Sequence, residues 1–168
     1  MRLRRAGPSD AKLLEAVAAE AFEGYRSFAP AGWSPPPRGT EIITTIGERL
    51  ADPTMWCTLA EIDGTPAGHV GFLASERTPR PDPAPELAHL WQLFVRPPHW
   101  GSGLATRLHA LAVEAATNQG YTMMRLHTPS GQARARRFYE REGWQAAGAH
   151  AADAVLGLET VEYRRRLP

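Results

Sequence analysis

The order of elements in residues 90–121 constrains this chain more than any other feature of its sequence. An apolar-rich run at residues 90–95 predicts a buried strand, and Gly101 and Gly103 mark a turn before a long helix. A helix that begins directly after such a turn leaves its first backbone N–H groups unpaired, and the helix dipole makes that end positive. The order therefore predicts a site for an anionic phosphate at the turn. The apolar positions that recur along the helix are Leu104, Leu108, Leu111 and Ala115.

Known phosphate-binding motifs compete for this turn. A Walker loop is excluded because no lysine follows the glycines. The dinucleotide fingerprint Gly-x-Gly-x-x-Gly fails because Thr106 stands where its third glycine belongs. The pattern that remains is Val-x-Pro-x-x-x-Gly-x-Gly-Leu-Ala, from Val95 to Ala105. An ordinary strand-to-helix turn, with glycines for geometry alone, stays open as the alternative.

A second motif lies about thirty residues further along the chain. It reads Gln-x-x-Ala-x-x-Phe-Tyr-x-x-x-Gly-Trp, from Gln132 to Trp144. The two motifs, in this order and at this separation, resemble those of the GNAT N-acetyltransferase superfamily. This sequence departs from the family pattern at two positions: Trp100 replaces the usual Gln or Arg, and Gln132 replaces the usual Asn.

The resemblance implies one GNAT acyltransferase domain over residues 1–168. Its fold class is α/β, with a mixed sheet of about seven mostly antiparallel strands, a central splayed parallel pair and about four helices. The residues agree with this fold, because runs of strands are interrupted by helices and Asp63-Gly64 predicts a hairpin. The resemblance places the splay at Val95. The predicted strands are residues 2–6, 55–62, 67–75, 90–95, 121–127 and 160–167, and the predicted helices begin at residues 9–10, 40, 104 and 132.

The resemblance also implies acetyl-coenzyme A as the acetyl donor, with no metal. The backbone of Leu93, Phe94 and Val95 would hold its pantetheine arm, and the amide of Val95 would stabilise the oxyanion. The turn and the amide of Gln132 complete the expected cofactor site. The turn residues expected to bind the diphosphate are Gly101, Ser102, Gly103, Leu104, Ala105 and Thr106.

Three side chains are candidates for catalysis. Tyr139 matches the family tyrosine that protonates the departing thiolate, and a tyrosine that merely belongs to the core is its alternative. His127 and His89 stand at the positions where two branches of the family carry a base, and a histidine near its ordinary pKa is a competent base at pH 7. A structural polar residue is the alternative for each histidine. Should neither act, a carboxylate such as Glu86 or an already neutral amine takes the role.

Residues 24–38 are predicted to wall the acceptor site. Tyr25, Phe28 and Trp33 are too many large aromatics for an idle linker broken by prolines, although they could also fill the core. The expected reaction is N-acetylation of a primary amine by direct attack on the thioester. A module that binds acetyl-coenzyme A without turnover is the alternative from another class.

Composition narrows the remaining possibilities. The net charge of +1 favours neither nucleic acid nor a membrane surface as a partner. The single cysteine, Cys57, excludes an internal disulfide, and no apolar run approaches the roughly 20 residues of a membrane span, so we expect a cytoplasmic protein. The six histidines, among them His150, show no metal-ligand spacing. A homodimer remains open.

Overall fold

The computed structural model describes the backbone of residues 1–168 and every side chain except those of Ala149 and His150. These residues form one seven-stranded sheet and four α-helices, which confirms the predicted numbers. The strands are β1 (Arg2–Arg5), β2 (Trp56–Ile62), β3 (Thr65–Ala74), β4 (Leu87–Val95), β5 (Met123–Pro129), β6 (Gln145–Asp153) and β7 (Leu158–Arg166). The helices are α1 (Ala11–Glu23), α2 (Thr40–Leu50), α3 (Leu104–Asn118) and α4 (Ala133–Arg141).

The sheet is mixed, with strand order β1-β2-β3-β4-β5-β7-β6. Every neighbouring pair is antiparallel except β4 and β5, which are parallel and are joined by α3. A parallel pair needs such a crossover because its connection must return to the same end of the sheet. The predicted fold class, with its central parallel pair, is therefore confirmed.

The parallel pair opens into a gap after three residue pairs, the last of which is His89 opposite Arg125. On its other side β4 remains paired with β3 up to Val95, with an irregularity that leaves Trp91 without an opposite residue. Such a bulge bends its strand, so β4 turns away from β5 where their pairing ends. The resemblance places the separation at Val95, and it begins earlier, directly after His89.

The helices cover both faces of the sheet. The core under α3 and α4 joins Leu108 and Tyr139 to Leu126 of β5. The core under α1 and α2 joins Leu14 and Ile46 to strands β2 and β3. These two layers leave the gap between β4 and β5 as the opening in the sheet.

The inner side of α3 differs from the predicted stripe. Leu104 and Leu108 are buried, and half-buried Ala115 packs against the same core, whereas half-buried Leu111 is not part of it. Steps of four residues select the inner face here, and the alanines on it let the helix lie close to the sheet. The residues that take the inner positions are Ala112, Val113 and Ala116.

The hairpin between β2 and β3 turns where the sequence places it. Asp63 and Gly64 have φ angles of 51° and 76°, both positive, as a type I′ turn requires. The other boundaries differ slightly from expectation. The strands predicted at residues 121–127 and 160–167 are β5 and β7, and each starts two residues away from its predicted position.

A close approach of β3 to β4 fixes the position of Val95. A Cβ added at Gly68 would lie 2.6 Å from the carbonyl oxygen of Phe94 and 3.2 Å from the Cα of Val95. Both are backbone atoms and cannot rotate aside, so Gly68→Ala should lower the free energy of unfolding by about 1–3 kcal/mol. Urea unfolding measures the loss.

The matched control is Gly47→Ala, which lies within α2. A Cβ there would meet its nearest neighbours at 3.8 Å, an ordinary contact. Because alanine has a higher helix propensity than glycine, this variant should be at least as stable as the parent protein. Equal unfolding free energies for the two variants would contradict the close approach at Gly68.

Candidate active site

A cleft of about 1320 Å³ extends from the gap between β4 and β5. Its walls are the facing ends of these two strands, the turn before α3, one side of α4, and the segment that follows α1. Every predicted site residue lines this cleft except Ser102 and Trp33. The sequence motifs, distant along the chain, therefore meet at a single place.

Two residues of β4 present their backbone groups to the gap. In an antiparallel ladder, residues bonded to the opposite strand alternate with residues whose N–H and C=O point away from it. The N–H of Arg96 donates to the carbonyl of Ala67 at 2.9 Å, which fixes the phase of the β3–β4 ladder. Because this alternation continues along β4, the backbone N–H and C=O of Phe94 face β3, whereas those of Val95 and Leu93 face the gap.

Phe94 thus differs from the expectation that it supplies a backbone bond to a ligand, and that part of the prediction is wrong. Its polar groups are directed into the ladder, and its ring packs edge-on against Phe22 with centroids 5.2 Å apart. The carbonyl of Val95, in contrast, accepts a hydrogen bond from outside the ladder, donated by Nε1 of Trp100 at 2.7 Å.

The turn before α3 has the form that the glycines predict. Gly101 and Gly103 have φ angles of 80° and 83°, in the left-handed region that residues with a Cβ rarely adopt. The hydroxyl of Ser102 donates to the carbonyl of His99 and braces the turn from outside the cleft. Among the described residues, no protein acceptor pairs with two backbone amides in the first turn of α3. These amides belong to Ala105 and Thr106.

Trp100 lies at the mouth of the cleft, and 45% of its surface is exposed. The guanidinium of Arg134, on α4, sits over its ring at 4.2 Å from the centroid. A Cβ at Gly24, just after α1, would lie 3.5 Å from the far edge of the same ring. The indole therefore contacts elements from both sides of the cleft.

Tyr139 is buried at the inner end of the cleft. Its ring packs against those of Phe138, Trp144 and Tyr163. Burial, with a smaller contribution from nearby Tyr25, raises the pKa of Tyr139, so the phenol keeps its proton at neutral pH. No acceptor for its hydroxyl occurs among the residues that the structure describes, which leaves that proton available to a ligand in the cleft.

The two candidate histidines lie together where the gap begins. The rings of His89 and His127 have centroids 5.3 Å apart. Nε2 of His127 lies 3.3 Å from Oε2 of Glu162, the residue opposite it on β7. Nδ1 of His89 is buried and has no partner among the described side chains.

Their surroundings make the two imidazoles unequal. Burial lowers the pKa of His89 well below its ordinary value, and the neighbouring His127 and Arg125 lower it further. Burial also lowers the pKa of His127, as do Arg80 and Arg125, but the carboxylate of Glu162 opposes them. Both rings are therefore neutral at pH 7. His127 is the better placed to hold a proton, because a carboxylate stabilises its charged form.

Glu162 is a site residue that the sequence analysis missed. It lies on the face of β7 opposite the alternating apolar residues, where solvent is expected, yet it is only 8% exposed. The proline-rich loop of residues 78–85 approaches this side of β7, and one contact is an ion pair between Asp82 and Arg164 at 3.2 Å. Without knowledge of that packing, no signal in the sequence separates Glu162 from a solvated glutamate.

Trp33 does not wall the cleft, and this part of the prediction is wrong. Its ring stacks on Tyr25 with centroids 6.2 Å apart, and its Nε1 donates to the carbonyl of Leu156 at 2.7 Å. Trp33 thus ties the segment after α1 to the turn between β6 and β7. It supports Tyr25 instead of contacting whatever occupies the cleft.

Tyr25 and Phe28 do line the cleft. The ring of Phe28 lies against the turn before α4, where a Cβ at Gly131 would come within 3.1 Å of it. Burial raises the pKa of Tyr25, and a hydrogen bond with the side chain of Gln132 opposes this shift. Gln132 therefore lies between α4 and the aromatic wall that Tyr25 and Phe28 form. Its role toward a cofactor stays a prediction.

Within the described residues, no group of three His, Cys, Asp or Glu side chains could hold a metal ion. The side chain of His150 lies outside those residues. Burial raises the pKa of Cys57 to about 12, so this thiol stays protonated.

None of the described helices combines the length and apolar character that crossing a membrane requires.

Comparisons with known proteins agree with this geometry. Residues 14–144, more than three-quarters of the chain, match the family model described as the acetyltransferase (GNAT) family. A search of curated proteins found no match.

Several solved structures share the fold at low sequence identity. The chain is similar to a ribosomal-protein-alanine N-acetyltransferase from Brucella melitensis, with 17% identity, coverage of 99% and 100% of the two chains, and a TM-score of 0.76. It is also similar to an N-acetyltransferase from Staphylococcus aureus Mu50, with 17% identity, 99% and 98% coverage, and a TM-score of 0.77. A third similar structure is the PaiA N-acetyltransferase from Thermoplasma acidophilum in complex with coenzyme A, with 15% identity, 98% coverage of both chains and a TM-score of 0.70.

Proposed function

The chain belongs to the acetyltransferase (GNAT) family, and from this premise we propose that it transfers the acetyl group of acetyl-coenzyme A to a primary amine by direct attack. The observation that carries the proposal is the gap beside β4. There the N–H and C=O of Leu93 and the N–H of Val95 face the same cleft as the glycine turn and Tyr139.

The cleft offers a bound acetyl-coenzyme A two kinds of backbone contact. The N–H and C=O of Leu93 suit the amides of an extended pantetheine arm, which would bond to β4 as an added strand does, and the N–H of Val95 is left for the thioester. The unpaired amides of Ala105 and Thr106, at the positive end of α3, suit the diphosphate. The Thermoplasma acidophilum protein, which has a similar fold, was solved with coenzyme A bound.

Each step of the transfer has a group suited to it. The amine nitrogen bonds to the thioester carbon, and the N–H of Val95 stabilises the oxyanion that forms. The carbon–sulfur bond then breaks, and the sulfur takes the proton of Tyr139. Burial makes Tyr139 a weaker acid, but the same surroundings make the departing thiolate more basic, so the two remain matched.

His127 is the base that the geometry favours for the proton of the amine. It lines the cleft, is neutral at pH 7, and bonds through Nε2 to Glu162, so that Nδ1 is the nitrogen left to accept a proton. His89 is the poorer candidate because cations surround it and no carboxylate contacts it. Glu86, the other alternative from the sequence, is exposed and does not line the cleft.

The aromatic wall favours an acceptor with an apolar portion beside its amine. Phe28 lines the cleft, and its replacement by alanine removes an aromatic ring that an acceptor could contact. Phe28→Ala should therefore raise the acceptor KM about tenfold and leave the dissociation constant of coenzyme A unchanged. Trp33→Phe is the control, because it makes an aromatic ring smaller and removes the indole N–H at a position outside the cleft. Equal KM values for parent and Phe28→Ala would remove Phe28 from the acceptor site.

The decisive experiment measures thiol release from acetyl-coenzyme A across a panel of primary amines. The panel should contain alkyl, aromatic and peptide amines together with a polyamine, with calorimetric titration of coenzyme A alongside. Binding with amine-dependent thiol release supports the proposed enzyme. Binding without release by any amine would favour a module that senses acetyl-coenzyme A, and the absence of binding would contradict both.

A further inference from the structure

The glycine turn is preceded by an uncharged residue, Trp100. An indole cannot donate a charged hydrogen bond to a phosphate. Its one N–H is already used, since Nε1 donates to the carbonyl of Val95 at 2.7 Å. Position 100 therefore supplies no cation to this end of the cleft.

The structure brings such a cation from α4. The guanidinium of Arg134 lies over the face of Trp100, 4.2 Å from the ring centroid, and both residues line the cleft together with Gly101 and Gly103. Arginine stacks on an aromatic face through its planar, delocalised charge and keeps its N–H donors at the edge of that plane. The stacked guanidinium can therefore still bind an anion.

Two arginines of α4 line the cleft, Arg134 and Arg141, and of these Arg134 has no acidic partner among the described side chains. Arg136 donates to the hydroxyl of Tyr163 and to a backbone carbonyl. Arg141 lies 3.7 Å from Glu142. Arg137 is exposed and does not line the cleft. Arg134 is thus the cleft arginine of α4 whose charge is left for a ligand.

We propose that Arg134 binds a phosphate group of coenzyme A and that Trp100 is the positioning residue that holds it there. This inference rests on the proposed function, because it presupposes that the cleft binds coenzyme A. The indole is itself fixed by two contacts, its bond to Val95 and its packing against Gly24. A fixed ring limits the rotamers of the long arginine side chain, so less conformational entropy is lost when the phosphate binds.

Calorimetric titration of coenzyme A into purified variants tests the proposal. Arg134→Gln should raise the dissociation constant about tenfold at low ionic strength, and by less in about 0.5 M salt, where the charge is screened. Arg137→Gln is the matched control, because it removes the same charge from the same helix at a position outside the cleft. It should change the dissociation constant less than about twofold.

Variants of Trp100 separate a positioning role from direct contact. Trp100→Leu removes the aromatic face and should weaken binding nearly as much as Arg134→Gln, whereas Trp100→Phe keeps a face and should retain most of the affinity. Because both changes remove the same contact, the double variant Trp100→Leu/Arg134→Gln should bind about as well as either single variant. Melting temperatures without ligand show whether a variant has lost its fold instead.

Shorter ligands identify the phosphate. Dephospho-coenzyme A lacks the 3′-phosphate. If the dissociation constants of Arg134→Gln and the parent protein differ by the same factor for this ligand as for coenzyme A, Arg134 binds the diphosphate. If the two proteins bind dephospho-coenzyme A with equal dissociation constants, Arg134 binds the 3′-phosphate. If the parent protein binds coenzyme A and Arg134→Gln binds it as well as Arg137→Gln does, the inference is overturned while the proposed function stands. If the parent protein does not bind coenzyme A, the proposed function fails first.

Discussion

Tyr139→Phe should fold like the parent protein, bind coenzyme A with the same affinity, and lose about 10²- to 10⁴-fold in kcat. The substitution keeps the ring that packs against Phe138, Trp144 and Tyr163 and deletes only the hydroxyl. That hydroxyl has no partner among the described residues, so its removal leaves no buried group unsatisfied. The proton for the departing thiolate must then come from water, which the buried site admits poorly.

Steady-state kinetics with saturating amine gives kcat, and calorimetry gives the affinity for coenzyme A. Tyr121→Phe is the control, since this tyrosine contacts Phe72 through its ring and lies outside the cleft. It loses the same hydroxyl without a catalytic consequence. A Tyr139→Phe enzyme with parental kcat would end the assignment of Tyr139 as general acid. Catalysis would then depend on positioning alone.

The side of the cleft formed by the glycine turn and α4 could be predicted from sequence because its determinants are local. Gly101 and Gly103 mark a turn that must precede a helix, and their positive φ angles follow from the residue type. The position of Tyr139 follows from its place in a motif on a short helix. Such features need only neighbours along the chain, and these are what a sequence displays directly.

The features that sequence did not reveal depend on contacts between distant segments. Glu162 is buried because another loop packs over β7, and alternation along the strand alone assigns it to solvent. Trp33 lies outside the cleft because its indole N–H donates to the carbonyl of Leu156, 123 residues away along the chain. Phe94 turns its polar groups from the gap because of the phase of the β3–β4 ladder. None of these has a signature in composition or spacing.

The pH dependence of kcat should identify the base. His127 acts only when neutral, and its pKa is lowered from the ordinary 6.5. Activity should therefore persist as the pH falls through 6.5 and decline only below the lowered pKa. Removing the carboxylate in Glu162→Gln deletes the contribution that raises this pKa. The decline of kcat on the acidic side of the pH profile, its acidic limb, should then move to still lower pH. The plateau of kcat above that limb should fall because His127 has become a weaker base.

A matched pair of substitutions distinguishes the two histidines. His127→Asn should abolish the acidic limb and reduce the plateau of kcat by about 10²-fold or more. His89→Asn should keep the limb, because His89 is not the group that titrates. A limb that disappears in His89→Asn and survives in His127→Asn would assign the base to His89 instead. If it survives unmoved in both, neither imidazole takes the proton, and the Glu162 carboxylate or an amine already neutral on arrival must account for the profile.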